Sequence, residues 1–109
     1  MGSPLRLADL EAYHASNVAP VQTDFKFGEL YNMPPPTQGI ASLLILKIFE
    51  ALDVQRADGF EHIHALVEAT KRAFLLRDAH VGDPERMGDY WKSWLSSEMI
   101  DQQAAAIDM

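Results

Sequence analysis

An α+β fold, mostly helical with one antiparallel β-hairpin, is the class that this 109-residue sequence predicts. Three observations carry it. Val21, Thr23, Phe25 and Phe27 alternate with Gln22, Asp24 and Lys26, the period of two of a strand with one covered face. Ten of the thirteen residues from Ile40 to Leu52 are apolar and surround the helical axis. A helix of that kind is buried on every side. Between these segments stand Pro34, Pro35 and Pro36, which cannot donate to a β-ladder and so end whatever strand precedes them.

The elements follow in order. Leu7, Leu10 and Tyr13 recur at helical spacing and predict a short helix over 5–15. The alternating strand after Pro20 turns near Lys26 to Gly28 into a second strand over 29–33, giving the hairpin. A hairpin alone is marginal in water and needs further layers. Thr37 is the expected N-cap of the apolar helix. Asp53 to Asp58 connect it to the next helix, where Asp58 followed by Glu61 matches a capping box. That helix is expected to run to about Asp78, with Gly82 and Pro84 closing it. Ile63, Leu66, Val67, Thr70, Ala73 and Phe74 form its apolar stripe, while Glu61, Glu68 and Arg72 lie opposite. Leu75 and Leu76 on the polar side predict cover there as well. Tyr90 to Leu95 predict an aromatic helical turn, and Ser96 or Ser97 caps a final helix over 98–108. The total is about five helices and two strands. One helix asks for burial all round and a second for cover on both faces, which implies a piece of a larger layered structure or an obligate oligomer.

Composition narrows function. The net charge is −7 and no basic stripe appears, which disfavours nucleic acid and anionic membrane surfaces as partners. Without cysteine there is no disulfide, thiolate catalysis or Cys-based metal site. The longest apolar run is too short for a bilayer, which takes ~20 residues. Met1, Gly2 and Ser3 read as a cloning remnant, and the N-terminal stretch has no apolar signal core.

Ligand chemistry gathers once, at Glu61, His62, His64 and Glu68. His64 and Glu68 are four apart on a helix and could reach one metal ion, with Glu61 joining; His62 points nearly opposite. A solvated polar face is the plainer reading. His80, Asp83 and Asp78 form a loop group better read as capping the preceding helix than as a general-base dyad. Ser42, Ser93, Ser96 and Ser97 lie in or between helices, and no nucleophile elbow is present. The glycines are scattered, so no phosphate loop forms. Trp91 and Trp94 read as core or subunit contact before binding surface. The residues alone therefore carry no complete active site, no catalytic, metal or cofactor-binding set, and no cofactor.

In order, LADLEAY (Leu7 to Tyr13), Pro20, YNMPPP with Gly39, HALVEATKRAFLLRD (His64 to Asp78), Gly82-Asp83-Pro84 and the tail WLSSEMIDQQAAAID resemble the γ-glutamyltransferase family. The resemblance covers nearly the whole chain after residue 5. Where typical members have Ser-Ser-Gly-Gly after the prolines, this chain has Thr37-Gln38-Gly39-Ile40, which is more similar to acylase and oxamate-amidohydrolase-type relatives. The resemblance implies a piece of the four-layer αββα N-terminal-nucleophile hydrolase fold. It implies a precursor that cleaves itself, and a new N-terminal Thr that attacks an amide with its own α-amine as base. Residues 1–109 correspond to one partial domain at the C-terminal end of the large subunit, before that cleavage point. Thr23, Thr37 and Thr70 do not match the nucleophile, so no catalytic residue is carried over. The implied partners are the rest of the large subunit, the small subunit and a γ-glutamyl or related amide substrate. The implied setting is cytoplasmic for the PPPTQG variant, with a periplasmic one open for the full-length parent. A second reading is a helical module without catalysis, self-associating through Ile40 to Leu52 and Tyr90 to Leu95.

Overall fold

The alternation after Pro20 forms its hairpin: β1 (Val21–Phe25) pairs antiparallel with β2 (Gly28–Asn32), Val21 opposite Asn32 and Phe25 opposite Gly28. The fold is described from a computed structural model, over residues 2–109. Val21, Thr23 and Phe25 are half-buried, whereas Gln22 and Asp24 face water. Phe27 leaves the expected face. It sits in the two-residue turn and is 86% exposed.

The prolines do end β2, and helix α2 (Gly39–Ala51) follows. Ile40, Ala41, Leu43, Leu44 and Ile48 are buried, and only Ser42, Leu46 and Ala51 reach the surface. The helix touches both strands and two other helices, α3 (Phe60–His80) and α5 (Ser97–Ala105). Its all-round apolar character thus matches its central place. Thr37 is not its N-cap. Gln38 holds that position without a side-chain cap bond.

Helix α3 departs further from expectation. Asp58 takes a left-handed φ of 62°, so Gly59 becomes the N-cap and no capping box forms. The helix continues two residues past Asp78, and Val81, in extended conformation, ends it rather than Gly82. The face turned to the core is an alanine row, Ala65, Ala69 and Ala73, each fully buried. Of the expected stripe, Ala73 is buried, but Ile63, Leu66, Val67 and Phe74 are exposed. The reason is steric. Small side chains let α3 approach the bulky Ile and Leu residues of α2, and the larger residues are left outside. Leu76 packs on the core, while Leu75 is exposed.

A short helix α4 (Pro84–Met87), unforeseen in the sequence, precedes a 3-10 turn at Tyr90–Ser93. Ser96 caps α5 as expected, its hydroxyl accepting from the Met99 amide at 3.3 Å. Ile40, Leu44, Ile48, Ala69, Ala73, Trp94 and Ile100 make one contiguous core. Each large aliphatic member contributes about 1.5–3 kcal/mol by leaving water. Trp94 is fully buried, and its indole N–H has no hydrogen-bond partner.

The first helix, α1 (Leu7–Ala12), is shorter than expected and buries none of its residues. Residues 2–20 are exposed throughout, including Leu7, Leu10 and Tyr13. Asp9 accepts from the Arg6 amide at 2.8 Å and closes the helix N-terminus. The projecting arm stretches the molecule to a radius of gyration of 17.2 Å, against ~13 Å for a domain of this size. Five α-helices and one two-stranded antiparallel sheet thus match the expected class.

Candidate functional site

The junction between β2 and α2 is held by local hydrogen bonds and one close backbone approach. Asn32 ends the strand and accepts from the Met33 amide at 2.8 Å. The Pro35–Pro36 bond is cis. The Thr37 hydroxyl lies 3.0 Å from the carbonyls of both Met33 and Pro34 and accepts from the Gly39 amide at 3.3 Å. This is a turn that closes on itself, so the hydroxyl is not presented to a ligand. Gly39 is required by close approach: a Cβ there would meet the Met33 carbonyl at 2.5 Å and the Asn32 amide group. Gln38 accepts from Arg77 Nη1 at 3.3 Å. The Arg77 guanidinium also pairs with Asp78 at 2.7 Å and lies 3.6 Å over the Phe74 ring. The C-terminal end of α3 therefore holds the junction.

Toward the other end of α2, an open groove of about 330 Å³ is lined by Thr23, Asp24, Lys47, Glu50, Leu95 and Asp101, among others. Lys47 donates to the Asp24 carbonyl at 2.8 Å and to Glu50 at 2.6 Å. Glu50 also accepts from the Lys26 amide at 2.5 Å. Partial burial pushes the Glu50 carboxyl up, but the hydrogen bonds from Lys47 and the Lys26 amide, with both lysine charges, outweigh it. The net effect holds Glu50 below the ordinary glutamate value. Chemically this is a tie between hairpin and helix. Its lysine is engaged on both sides and is no free base or nucleophile.

The residues singled out in the sequence are dispersed. His62 meets Phe49 edge-on at 5.1 Å, and His64 stacks on Phe60 at 5.5 Å with its Nε2 3.0 Å from the Asp108 carbonyl. Glu68 pairs with Lys71 at 2.7 Å, and that bond lowers its pKa. Among the described residues no three His, Cys, Asp or Glu side chains gather to hold a metal ion. His80 packs against Tyr90 at 5.3 Å and Trp94 at 5.9 Å. Asp83 caps α4, accepting from the Glu85 amide at 3.1 Å, so it serves the following helix and not the preceding one. Ser42 is exposed, Ser93 donates to the Tyr90 carbonyl at 2.9 Å, Ser96 caps α5 and Ser97 lines the groove. Trp94 is core and Trp91 half-buried beside it. Thr23 lies inside β1, and the Thr70 hydroxyl donates to the Leu66 carbonyl at 2.7 Å. The reading missed Asn32, Arg77 and the Lys47–Glu50 tie. Lys47 and Glu50, three apart in an otherwise apolar helix, were the available signal.

A family model described as gamma-glutamyltranspeptidase matches residues 1–109. The chain belongs to the gamma-glutamyltranspeptidase family. It is 42% identical over 108 residues to an oxamate amidohydrolase proenzyme of Klebsiella pneumoniae, which covers 99% of this chain and 20% of that protein. It is 30% identical over 112 residues to a glutathione hydrolase proenzyme of Escherichia coli, covering 99% of this chain and 19% of that one. The fold superposes with a TM-score of 0.88 on a cephalosporin acylase of Bacillus halodurans, 27% identical, over 95% of this chain and 19% of that chain. The chain thus spans about a fifth of the length of these gamma-glutamyltranspeptidase-family relatives. It is a segment homologous to amidohydrolases and acylases, and a piece of the N-terminal-nucleophile hydrolase fold.

Proposed function

We propose that residues 1–109 are one partial domain. They form a scaffold segment from the C-terminal part of the large subunit of a γ-glutamyltransferase-like amidohydrolase, whose N-terminal threonine nucleophile lies outside this chain. The observation that carries this reading is the mismatch of lengths: 99% of this chain aligns with 20% of an oxamate amidohydrolase proenzyme. The threonines support it. Thr23, Thr37 and Thr70 are internal, and two of the three hydroxyls are hydrogen-bonded to backbone carbonyls. A threonine that uses its own α-amine as base must stand at a chain start.

In the parent, the threonine hydroxyl adds to the amide carbon while the α-amine takes its proton. The proton then passes to the departing amine, and water or an acceptor amine releases the acyl group. This segment would supply two strands to the parent's sheet and the α2–α3 layer over it, in contact with the rest of the large subunit and with the small subunit. The higher identity to the oxamate amidohydrolase than to the glutathione hydrolase, with Thr37-Gln38 after the prolines, favours a small oxamate-like amide over a γ-glutamyl substrate.

The test is direct. Incubated with oxamate or a γ-glutamyl anilide, the 109-residue chain is expected to release no ammonia or aniline above buffer. A longer polypeptide extending through the threonine is expected to cleave itself and then hydrolyse one of them. Turnover by the 109-residue chain alone would overturn the proposal.

A further inference from the structure

We infer that the Asp58–Gly59 pair is a site of spontaneous covalent modification, where Asp58 converts through a cyclic imide to isoaspartate. Nine aspartates occur in the chain, and only Asp58 is followed by glycine. Glycine has no Cβ to hinder its amide nitrogen as that atom closes on the preceding side chain. The fold leaves the pair open. Both residues are exposed and lie in the turn that leads into α3. A Cβ built on Gly59 would meet nothing within 4 Å, so there is room for a ring. As the N-cap, Gly59 stands before the helical ladder. Among the described residues its N–H donates to no backbone carbonyl. Other aspartates lack this combination. Asp78 and Asp101 lie inside α3 and α5, where the next amide is tied into the helix. Asp83 precedes Pro84, which has no N–H to lose.

The step needs only water. The Gly59 amide nitrogen bonds to Asp58 Cγ, and one carboxylate oxygen leaves as water, carrying the amide proton and a proton from solvent. Water then adds to one of the two carbonyls of the imide. Addition at Cγ breaks the new bond and restores aspartate. Addition at the main-chain carbonyl breaks the original peptide bond instead, and the chain runs on through Cβ and Cγ as isoaspartate. Mass and charge are unchanged. The main chain gains one carbon directly before the N-cap of α3, and the freed α-carboxylate becomes a group that a carboxyl methyltransferase can recognise. The modification does not depend on the proposed enzymatic role.

The folded 109-residue chain is aged for several weeks at neutral pH and physiological temperature, then digested with trypsin. The peptide from Ala57 to Lys71 is expected to split into two chromatographic species of equal mass. The new species should accept a methyl group from S-adenosylmethionine and an isoaspartyl methyltransferase, with the label at position 58. A synthetic peptide of the same residues, aged alongside, should convert at a similar rate, because the fold leaves the pair open. Gly59→Ala should slow conversion several-fold. Asp58→Glu, whose longer side chain closes a ring far less readily, should abolish it and serves as the check if Gly59→Ala fails to fold. A single species from the aged chain overturns the inference. So does conversion confined to the synthetic peptide, or methyl acceptance that persists in full in Asp58→Glu.

Discussion

At the residue scale, two side chains have consequences that can be measured. Gly39 sits where a methyl group would press on the Met33 carbonyl, a backbone atom that cannot swing aside. Gly39→Ala is expected to cost about 1–3 kcal/mol, read as a lower urea midpoint. Glu50 is held below its ordinary pKa of 4.5 by Lys47 and the Lys26 amide. Its folded value being depressed, its contribution to stability is fully present above about 4.5 and is lost as pH falls through the lower folded value. Glu50→Gln should therefore lower stability at neutral pH and flatten its decline on acidification. Urea midpoints measured from pH 7 down to pH 3 check both effects. Equal slopes for the two proteins would remove Glu50 as the acid-sensitive tie.

At the element scale, α3 decides the packing. Its alanine row faces α2, so the helices come close and the larger apolar side chains stay outside. Ala69→Leu should separate the two helices and cost about 1–3 kcal/mol through overpacking, whereas Leu75→Ala, at an exposed position, should change thermal stability little. A hydrophobic pattern does not say which of two adjacent apolar stripes turns inward. Helical periodicity gave Ile63, Leu66, Val67 and Phe74 the larger hydrophobic weight. The neighbour's bulk selected the small residues instead, because the α2 surface was already filled by Ile40, Leu44 and Ile48. The caps were legible where the side chain had one local use, as at Ser96. They were not legible at Asp58, whose left-handed backbone moves the cap to Gly59.

At the scale of the whole molecule, the arm before β1 and the body behave as separate parts. Residues 2–20 are exposed throughout. Limited proteolysis should cut there first, and removing residues 1–20 should shift the unfolding free energy by no more than about 0.5 kcal/mol. A larger loss would mean that α1 packs in solution after all. The 17.2 Å radius of gyration and the exposed apolar side chains of α1 and α3 suit a segment built to be surrounded.

By itself the sequence determined the element types: a period of two wrote the hairpin, a run of apolar residues the central helix, and three prolines the break between them. Those features are local, set by sterics and by side-chain spacing within a few residues. The ordered motifs from LADLEAY to the Leu-Ser tail were also enough to reach the family. The tertiary structure alone decided which face of α3 is inside. It also decided that Thr37 folds back on its own turn while Arg77 reaches Gln38 from 39 residues away, and that His64 and Glu68 take separate partners. Each of these depends on which distant groups come within contact distance, a property of the packed chain that no spacing along it encodes.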